Sequence, residues 1–185
     1  LQRLESRIGV MGRRPAARRA LKRELIYNGF AKGIVADLPF FGSSMKEQTI
    51  AFQRARLGSL TPDGVIGLLT AGFLFHKRAV WFESRYGIKN NWLCKLKTYE
   101  SRNDPVAEGV VNPDDEGIVQ INLHFNPSVT YEQAWDPAWA LENGAQRIKA
   151  GIAFCEDEEG GVAAYNVGRI YARAWVQAGK PALGG

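Results

Sequence analysis

The segment WLCKLKTYES, Trp92 to Ser101, is the stretch on which the fold turns. Trp92, Leu96 and Tyr99 stand four and then three apart, the spacing of one helical face. The segment therefore reads as a helix that carries Glu100 near its end. Pro105 to Pro113 comes next and is rich in turn formers, and GIVQIN runs from Gly117 to Asn122. Ala138 to Cys155 is helical again, with Leu141, Ala145, Ile148 and Ile152 on one stripe. Gly160-Gly161 is expected to break that helix, and Val162 to Ala178 resumes it.

Towards the amino terminus, Tyr86-Gly87 marks a turn and His76-Lys77-Arg78 opens a polar segment. The apolar run Ile66 to Phe75 comes after the strong turn signal Pro62-Asp63-Gly64 and reads as a helix. An earlier helix is signalled by Ser44 and Glu47, a capping-box spacing, with Met45, Thr49 and Phe52 on its face. The first is marked by Ala17, Leu21 and Leu25, and Gly29 can stop it. These three make a compact unit ending near Phe75. No Pro/Gly/Ser linker separates the halves, so a helical or short rigid connection is expected. The fold class is mainly α.

Charged residues make up 23% and hydrophobic residues 45% of the 185 residues, an ordinary globular composition. No apolar run approaches the length of a membrane span, so no stable membrane insertion is expected. The first residues are basic without an apolar core, so no secretory signal is visible, and the opening Leu1 leaves a processed or truncated start open. Cys94 and Cys155 are too few for a disulfide framework. Buried free thiols are the preferred reading, and a single disulfide stays open. With His76 and His124 as the two histidines, metal ligation is poorly supported, and neither metal nor cofactor is expected.

Net charge is +5. Arg13, Arg14, Arg18, Arg19, Lys22 and Arg23 arrive with no acid between them. Such a cluster suits nucleic acid, an anionic membrane or an anionic wall, and equally the solvated face of a helix. No nucleic-acid reading motif accompanies it, so no nucleic-acid partner is expected.

Three short motifs stand in order: Glu100-Ser101, then Gly117 to Asn122, then Ala164-Tyr165-Asn166-Val167-Gly168. Between them lie Asp136-Pro137 and Gly144-Ala145. Together they resemble the soluble lytic transglycosylase family, related to goose-type lysozymes, over roughly Val80 to Ala178. The resemblance implies a mostly helical, lysozyme-like catalytic domain, taken as residues 77–180. It implies Glu100 as the catalytic acid, Ser101, Gln120 and Asn166 lining a sugar groove, and Tyr165 bonding near the acid. Cleaving a glycosidic bond needs a carboxylic acid that is neutral at working pH. An apolar wall around Glu100, which comes after Tyr99 and lies one turn beyond Leu96, would raise its pKa by desolvation. Bland readings stand beside these: Ser101 as a helix terminator, Gln120 and Asn122 as turn residues, Tyr165 as a core aromatic. Gly117 admits either close approach of a sugar or a plain turn.

Asp104, Glu108, Asp114, Asp115 and Glu116 lie between the first two motifs. One could activate water, as an inverting hydrolase requires, though solvated loop charges are the preferred reading. The Asp114-Asp115-Glu116 run lacks the spacing of a calcium loop. His124 reads as a surface histidine before a sugar contact.

In the amino-terminal half, Phe41-Gly42, Phe52-Gln53, Asp63 to Gly67 and Thr70 resemble the peptidoglycan-binding domain found beside many wall hydrolases. The resemblance implies a three-helix domain, taken as residues 12–76, with Gly42 and Gly67 where helices begin and Phe52 in a small core. Met45 stands where that family usually has Thr, and the turn before Phe41 is lengthened by Leu38, Pro39 and Phe40 after Asp37.

The two resemblances together imply cleavage of bacterial peptidoglycan between N-acetylmuramic acid and N-acetylglucosamine, leaving 1,6-anhydromuramic ends. A muramidase using water is the alternative, and a non-catalytic wall-binding protein a distant one. A monomer acting at the wall or in the periplasm is expected. The order of domains resembles phage lysins, and a bacterial or engineered origin would read the same.

Overall fold

The computed structural model describes residues 15–35, 42–56 and 58–181, without the side chains of 15–17. Arg13, Arg14, the Ala17 side chain and the segment from Asp37 to Phe41 thus lie outside the described residues. The architecture is mainly helical. In order come α1 (Pro15–Tyr27), α2 (Ser43–Arg54), α3 (Leu68–Tyr86), α4 (Trp92–Ser101), β1 (Asp115–Glu116), β2 (Ile121–Asn122), α5 (Tyr131–Ala134), α6 (Pro137–Cys155), α7 (Glu158–Val167) and α8 (Arg169–Gln177). The strands pair antiparallel, with Asp115 opposite Asn122 and Glu116 opposite Ile121.

Leu21 and Leu25 turn the buried face of α1 inward. Beyond its end Gly29 adopts φ +92°, so that Phe30 N–H reaches the Leu25 carbonyl and Gly29 N–H the Ile26 carbonyl. That pair of bonds is a Schellman stop, and it needs the left-handed conformation glycine takes freely. In α2, Met45, Thr49 and Phe52 are buried on one face as their spacing requires. The Ser44–Glu47 capping box does not form. Gly42 is the N-cap and Ser44 already lies inside the helix, whose cap makes no side-chain bond. Gly67 caps α3 in the same way.

The third helix does not end at Phe75. It runs on to Tyr86, where Gly87 closes it at φ +66°. His76, Lys77 and Arg78 form a mostly solvent-facing turn, while Ala79, Phe82 and Glu83 continue the buried stripe of Leu74 and Phe75. Residues 76 and 77, the expected meeting point of two domains, are therefore neighbours within one helix, and a helical connection joins the halves. One hydrophobic cluster runs from Leu21 and Phe52 through Phe75 and Phe82 to Leu93, Ile118, Leu141 and Ile148. Two ion pairs tie α1 to α3 and to the residue before α6: Arg78 Nε to Glu24 Oε1 at 2.5 Å and Arg23 to Asp136 at 2.9 Å. Glu24 is buried, which pushes its carboxyl up to about 7 although the Arg78 charge and bond pull the other way.

Asp136 also caps α6, accepting from Ala138 N–H at 3.0 Å, with Pro137 in the first turn. Gly160-Gly161 does not break a helix. The chain leaves α6 at Glu156 (φ +56°), and Asp157 caps α7 by accepting from Gly160 N–H at 2.8 Å. The two glycines lie buried inside α7, where a Cβ on Gly161 would sit 2.3 Å from Ile152 Cγ1. Gly151 faces them, its own Cβ position 2.6 Å from the Gly161 carbonyl oxygen. The missing side chains let α7 lie directly on α6. The break between α7 and α8 falls at Gly168, φ +81°.

Candidate active site

Glu100 is the penultimate residue of α4, as the spacing predicts. The buried face of that helix is Leu93, Leu96, Lys97 and Ser101. Tyr99, expected on it, is 81% exposed and forms no wall beside the acid. On that face Leu93 packs against Gly144, where a Cβ would meet Leu93 Cδ1 at 3.3 Å and Val119 Cγ1 at 3.4 Å. At its amino end α4 is capped from α3: Glu83 Oε1 accepts from Cys94 N–H at 2.9 Å.

The turn from Gly117 to Gln120 gathers the three motifs. Its carbonyls at Ile118 and Val119 accept, respectively, from Ser101 Oγ at 2.8 Å and Tyr165 Oη at 2.6 Å. Ser101 is buried and also bonds the Lys97 carbonyl at 3.0 Å, so its hydroxyl joins α4 to the turn. Tyr165 joins α7 to the same turn. Gly117 has φ +79°, and a Cβ there would lie 2.0 Å from the Ala134 carbonyl oxygen. The close approach that requires glycine is to the chain's own backbone. Gln120 is also left-handed, at φ +51°, and its side chain bonds the Ala107 and Gly117 carbonyls at 3.2 and 3.0 Å. Asn166 is exposed in the last turn of α7.

Glu100 itself is partly buried, and its Oε1 is buried with no hydrogen-bond partner among the described residues. Burial raises its pKa, a bond with the Asn166 side chain lowers it, and the Asp115 charge raises it. The Tyr165 phenol is likewise pushed up, mainly by burial, with Arg147 lowering it and Glu100 and Asp115 raising it. Glu100, Asp115, Tyr165 and Asn166 are thus one electrostatic group.

The five acids of the loop are not equivalent. Asp104 is buried and accepts from Val106 N–H at 3.0 Å. Glu116 is buried and accepts from Trp135 Nε1 at 2.7 Å. Glu108 and Asp114 are exposed. Asp115 accepts from Asn122 Nδ2 at 2.7 Å across the strand pair, and of the five its charge alone is felt at Glu100. Sequence spacing alone does not distinguish these acids. A hairpin signal is nonetheless present, since Gly117 and a left-handed Gln120 bound a four-residue loop that sets Asp115 opposite Asn122.

His124 is exposed, edge-on to Phe125. Cys94 and Cys155 are free thiols. A cavity of about 180 Å³ opens elsewhere, between α1 and α2, lined by residues including Lys22, Ile34, Ser43 and Met45. Among the described residues no group of three or more His, Cys, Asp or Glu side chains is arranged to hold a metal ion, and no helix is long and apolar enough to cross a membrane. No known protein-family model matches the chain, and no curated protein matches it.

Proposed function

We propose that this chain cleaves the glycan of bacterial peptidoglycan between N-acetylmuramic acid and N-acetylglucosamine, with Glu100 as the acid. The observation that carries the reading is the Glu100 carboxyl: one oxygen buried and unpartnered among the described residues, and a proton held more tightly than an ordinary carboxyl holds it. A carboxyl whose burial favours the protonated form and that has an unused oxygen is suited to protonating a leaving alkoxide. The resemblance of the three motifs to lytic transglycosylases supplies the substrate class.

In this mechanism Glu100 gives its proton to the glycosidic oxygen as the bond to the muramic C1 breaks. The resulting carboxylate then takes the proton of that sugar's 6-hydroxyl, whose oxygen closes on C1 to form the 1,6-anhydro end. An attacking group tethered to the reacting ring has a large effective-concentration advantage over free water. Gln120, Tyr165 and Asn166 are proposed to line the groove, with Ser101 acting behind it through the Ile118 carbonyl. One observation favours a second reading, hydrolysis by water: the carboxylate of Asp115 bears on Glu100 and could orient a water molecule. Digestion of purified peptidoglycan in heavy-oxygen water separates them by mass spectrometry. Transglycosylation leaves an unlabelled terminus one water lighter, whereas a labelled reducing end makes the protein a muramidase.

The amino-terminal segment, 12–76, is proposed to hold the enzyme on the wall, which is where the protein would act, as a monomer. Because α3 runs through residues 76 and 77, a cut there would sever a helix. The full-length Glu100→Gln variant is the suitable probe. It should sediment with insoluble peptidoglycan, and a variant that stays in the supernatant at low and moderate salt overturns the wall-binding role.

A further inference from the structure

The residues just after Glu100 are held in an uncommon conformation. Arg102 and Asn103 are consecutive non-glycine residues at φ +55° and +68°, the left-handed region that L side chains rarely adopt. Such a pair persists only where its surroundings over-determine it. Here they do. Asn103 Oδ1 accepts from Lys97 Nζ at 2.5 Å and from Thr98 Oγ1 at 3.3 Å. Lys97 Nζ also donates to the Gly72 carbonyl of α3 at 3.3 Å. Gly72 leaves room for the Asn103 carboxamide, since a Cβ there would stand 3.0 Å from Asn103 Nδ2. Lys97 is 3% exposed, an unusual place for an ammonium group to which no carboxylate among the described residues is bonded.

We infer that Gly72, Lys97, Thr98 and Asn103 form a clasp, closed around the buried Lys97, that positions Glu100. The inference rests on the proposed role of Glu100 as the acid. Lys97 and Thr98 precede Glu100 by three and two residues, and Asn103 stands three residues after it. The side-chain bond from 97 to 103 therefore closes a ring around the last turn of α4 and anchors that ring to α3. This fixes how far the turn is rotated, and so where the Glu100 carboxyl lies relative to Asn166 and Asp115. The four are positioning residues. None of them needs to touch the sugar.

The conformational preference of glycine makes the clasp testable apart from a general structural role. Asn103→Gly accepts the left-handed backbone more readily than asparagine while removing the clasp's acceptor. The relieved backbone offsets part of the bond lost to the buried Lys97, so the variant's thermal midpoint should fall only modestly and the protein should stay folded at the assay temperature. Its kcat on peptidoglycan fragments should nonetheless fall by about ten- to a hundredfold with KM within about twofold, as expected for a misplaced reacting group. Asn103→Asp, which keeps both the acceptor and a tolerance for positive φ, should recover most of the loss. Lys97→Met should resemble Asn103→Gly in turnover. The carboxyl of Glu100, followed by carbon-13 NMR, should titrate nearer the ordinary carboxylate range in Asn103→Gly, because its neighbours no longer hold it in place. A merely structural role predicts that activity follows the midpoint, and that result overturns the clasp. So does an Asn103→Gly protein with parental kcat and an unmoved Glu100 titration, or an Asn103→Asp protein as impaired as Asn103→Gly. If the folded parent protein releases no glycan fragments, the proposed function fails, and the carboxyl titration still decides the clasp.

Discussion

Gln53 and Glu100 are both polar residues with buried side-chain atoms, and they are used in opposite ways. Gln53 is 2% exposed and its carboxamide is fully engaged. It donates to Asp63 Oδ1 and to the Val65 carbonyl, each at 2.9 Å, and accepts from Gly64 N–H at 2.9 Å. Its bonds hold the Pro62–Gly64 turn against α2. Glu100 has a buried oxygen that none of the described residues engages. A buried polar atom without a partner is destabilising by about 1–3 kcal/mol, so native structures leave few of them. Gln53 therefore uses its polarity to fix the chain's own backbone, whereas Glu24 Oε2 and Asn28 Oδ1 of the same region are, like Glu100 Oε1, buried without a partner among the described residues. On the proposed function, the unengaged oxygen of Glu100 serves a group that is not part of the chain.

Glu100→Gln is the sharpest way to break this contrast. The substitution keeps the size of the side chain and removes the transferable proton. Glycan cleavage should fall by roughly 10²- to 10⁴-fold or more, while the thermal midpoint changes little because the size and shape of the side chain are kept. Near-parental turnover in the folded variant would put Glu100 on the same footing as Gln53, as a residue of the scaffold.

Gln53→Leu tests the other side, with a smaller effect on a different quantity. Gly64 N–H would lose its partner and the Asp63–Val65 turn its tie to α2. Stability should drop by about 1–3 kcal/mol, read as a lower denaturation midpoint. Turnover of soluble peptidoglycan fragments, measured well below that midpoint, should be unchanged. A variant with parental stability and reduced turnover would mean that the turn belongs to the active machinery.

The same contrast marks what could be read in the sequence. Local periodicity reveals Leu21 and Leu25, Met45 to Phe52, and Leu141 to Ile148, because each stripe is a property of its own helix. The resemblance of ordered motifs implies a groove lined by Ser101, Gln120 and Asn166 with Tyr165 near the acid, and it does not disclose that Ser101 and Tyr165 both bond carbonyls of the turn from Gly117 to Gln120. Features decided by other elements are invisible at that level. Tyr99 faces solvent while Leu93 of the same helix packs against Gly144 of α6. The His76-Lys77-Arg78 turn looks like a boundary, yet a helix can carry three polar residues on an outer turn without ending. Gly160-Gly161 looks like a stop, when Gly161 admits Ile152 and Gly151 of α6 and Gly160 admits Cys155 of α6 and Val176 of α8. Lys97 has the look of a solvated charge, yet it is buried and donates to the Gly72 carbonyl, twenty-five residues away.

Asp115→Asn carries the smallest expected effect and the finest discrimination. Among the causes acting on Glu100, burial is the largest and raises its pKa, the Asn166 bond lowers it, and the Asp115 charge raises it. Asparagine removes that charge, and its carbonyl oxygen can still accept from Asn122 Nδ2. Glu100 then loses its proton at a lower pH. The acid form is the one that protonates the leaving oxygen, so the high-pH limb of the rate profile should move towards lower pH. The movement is limited, because burial remains. Stability changes with a definite sign. A carboxyl whose folded pKa lies above its unfolded value binds the proton more tightly when folded, so its contribution falls as pH rises from the ordinary carboxylate range through the raised value. Asp115→Asn should make that fall shallower. Maximal turnover should change little if the sugar's own 6-hydroxyl is the nucleophile. If water attacks with Asp115 as its base, the variant should lose turnover by about 10²-fold or more at every pH. A displaced limb at near-parental maximal rate therefore assigns Asp115 to the tuning of Glu100, and a collapsed rate assigns it to the chemistry.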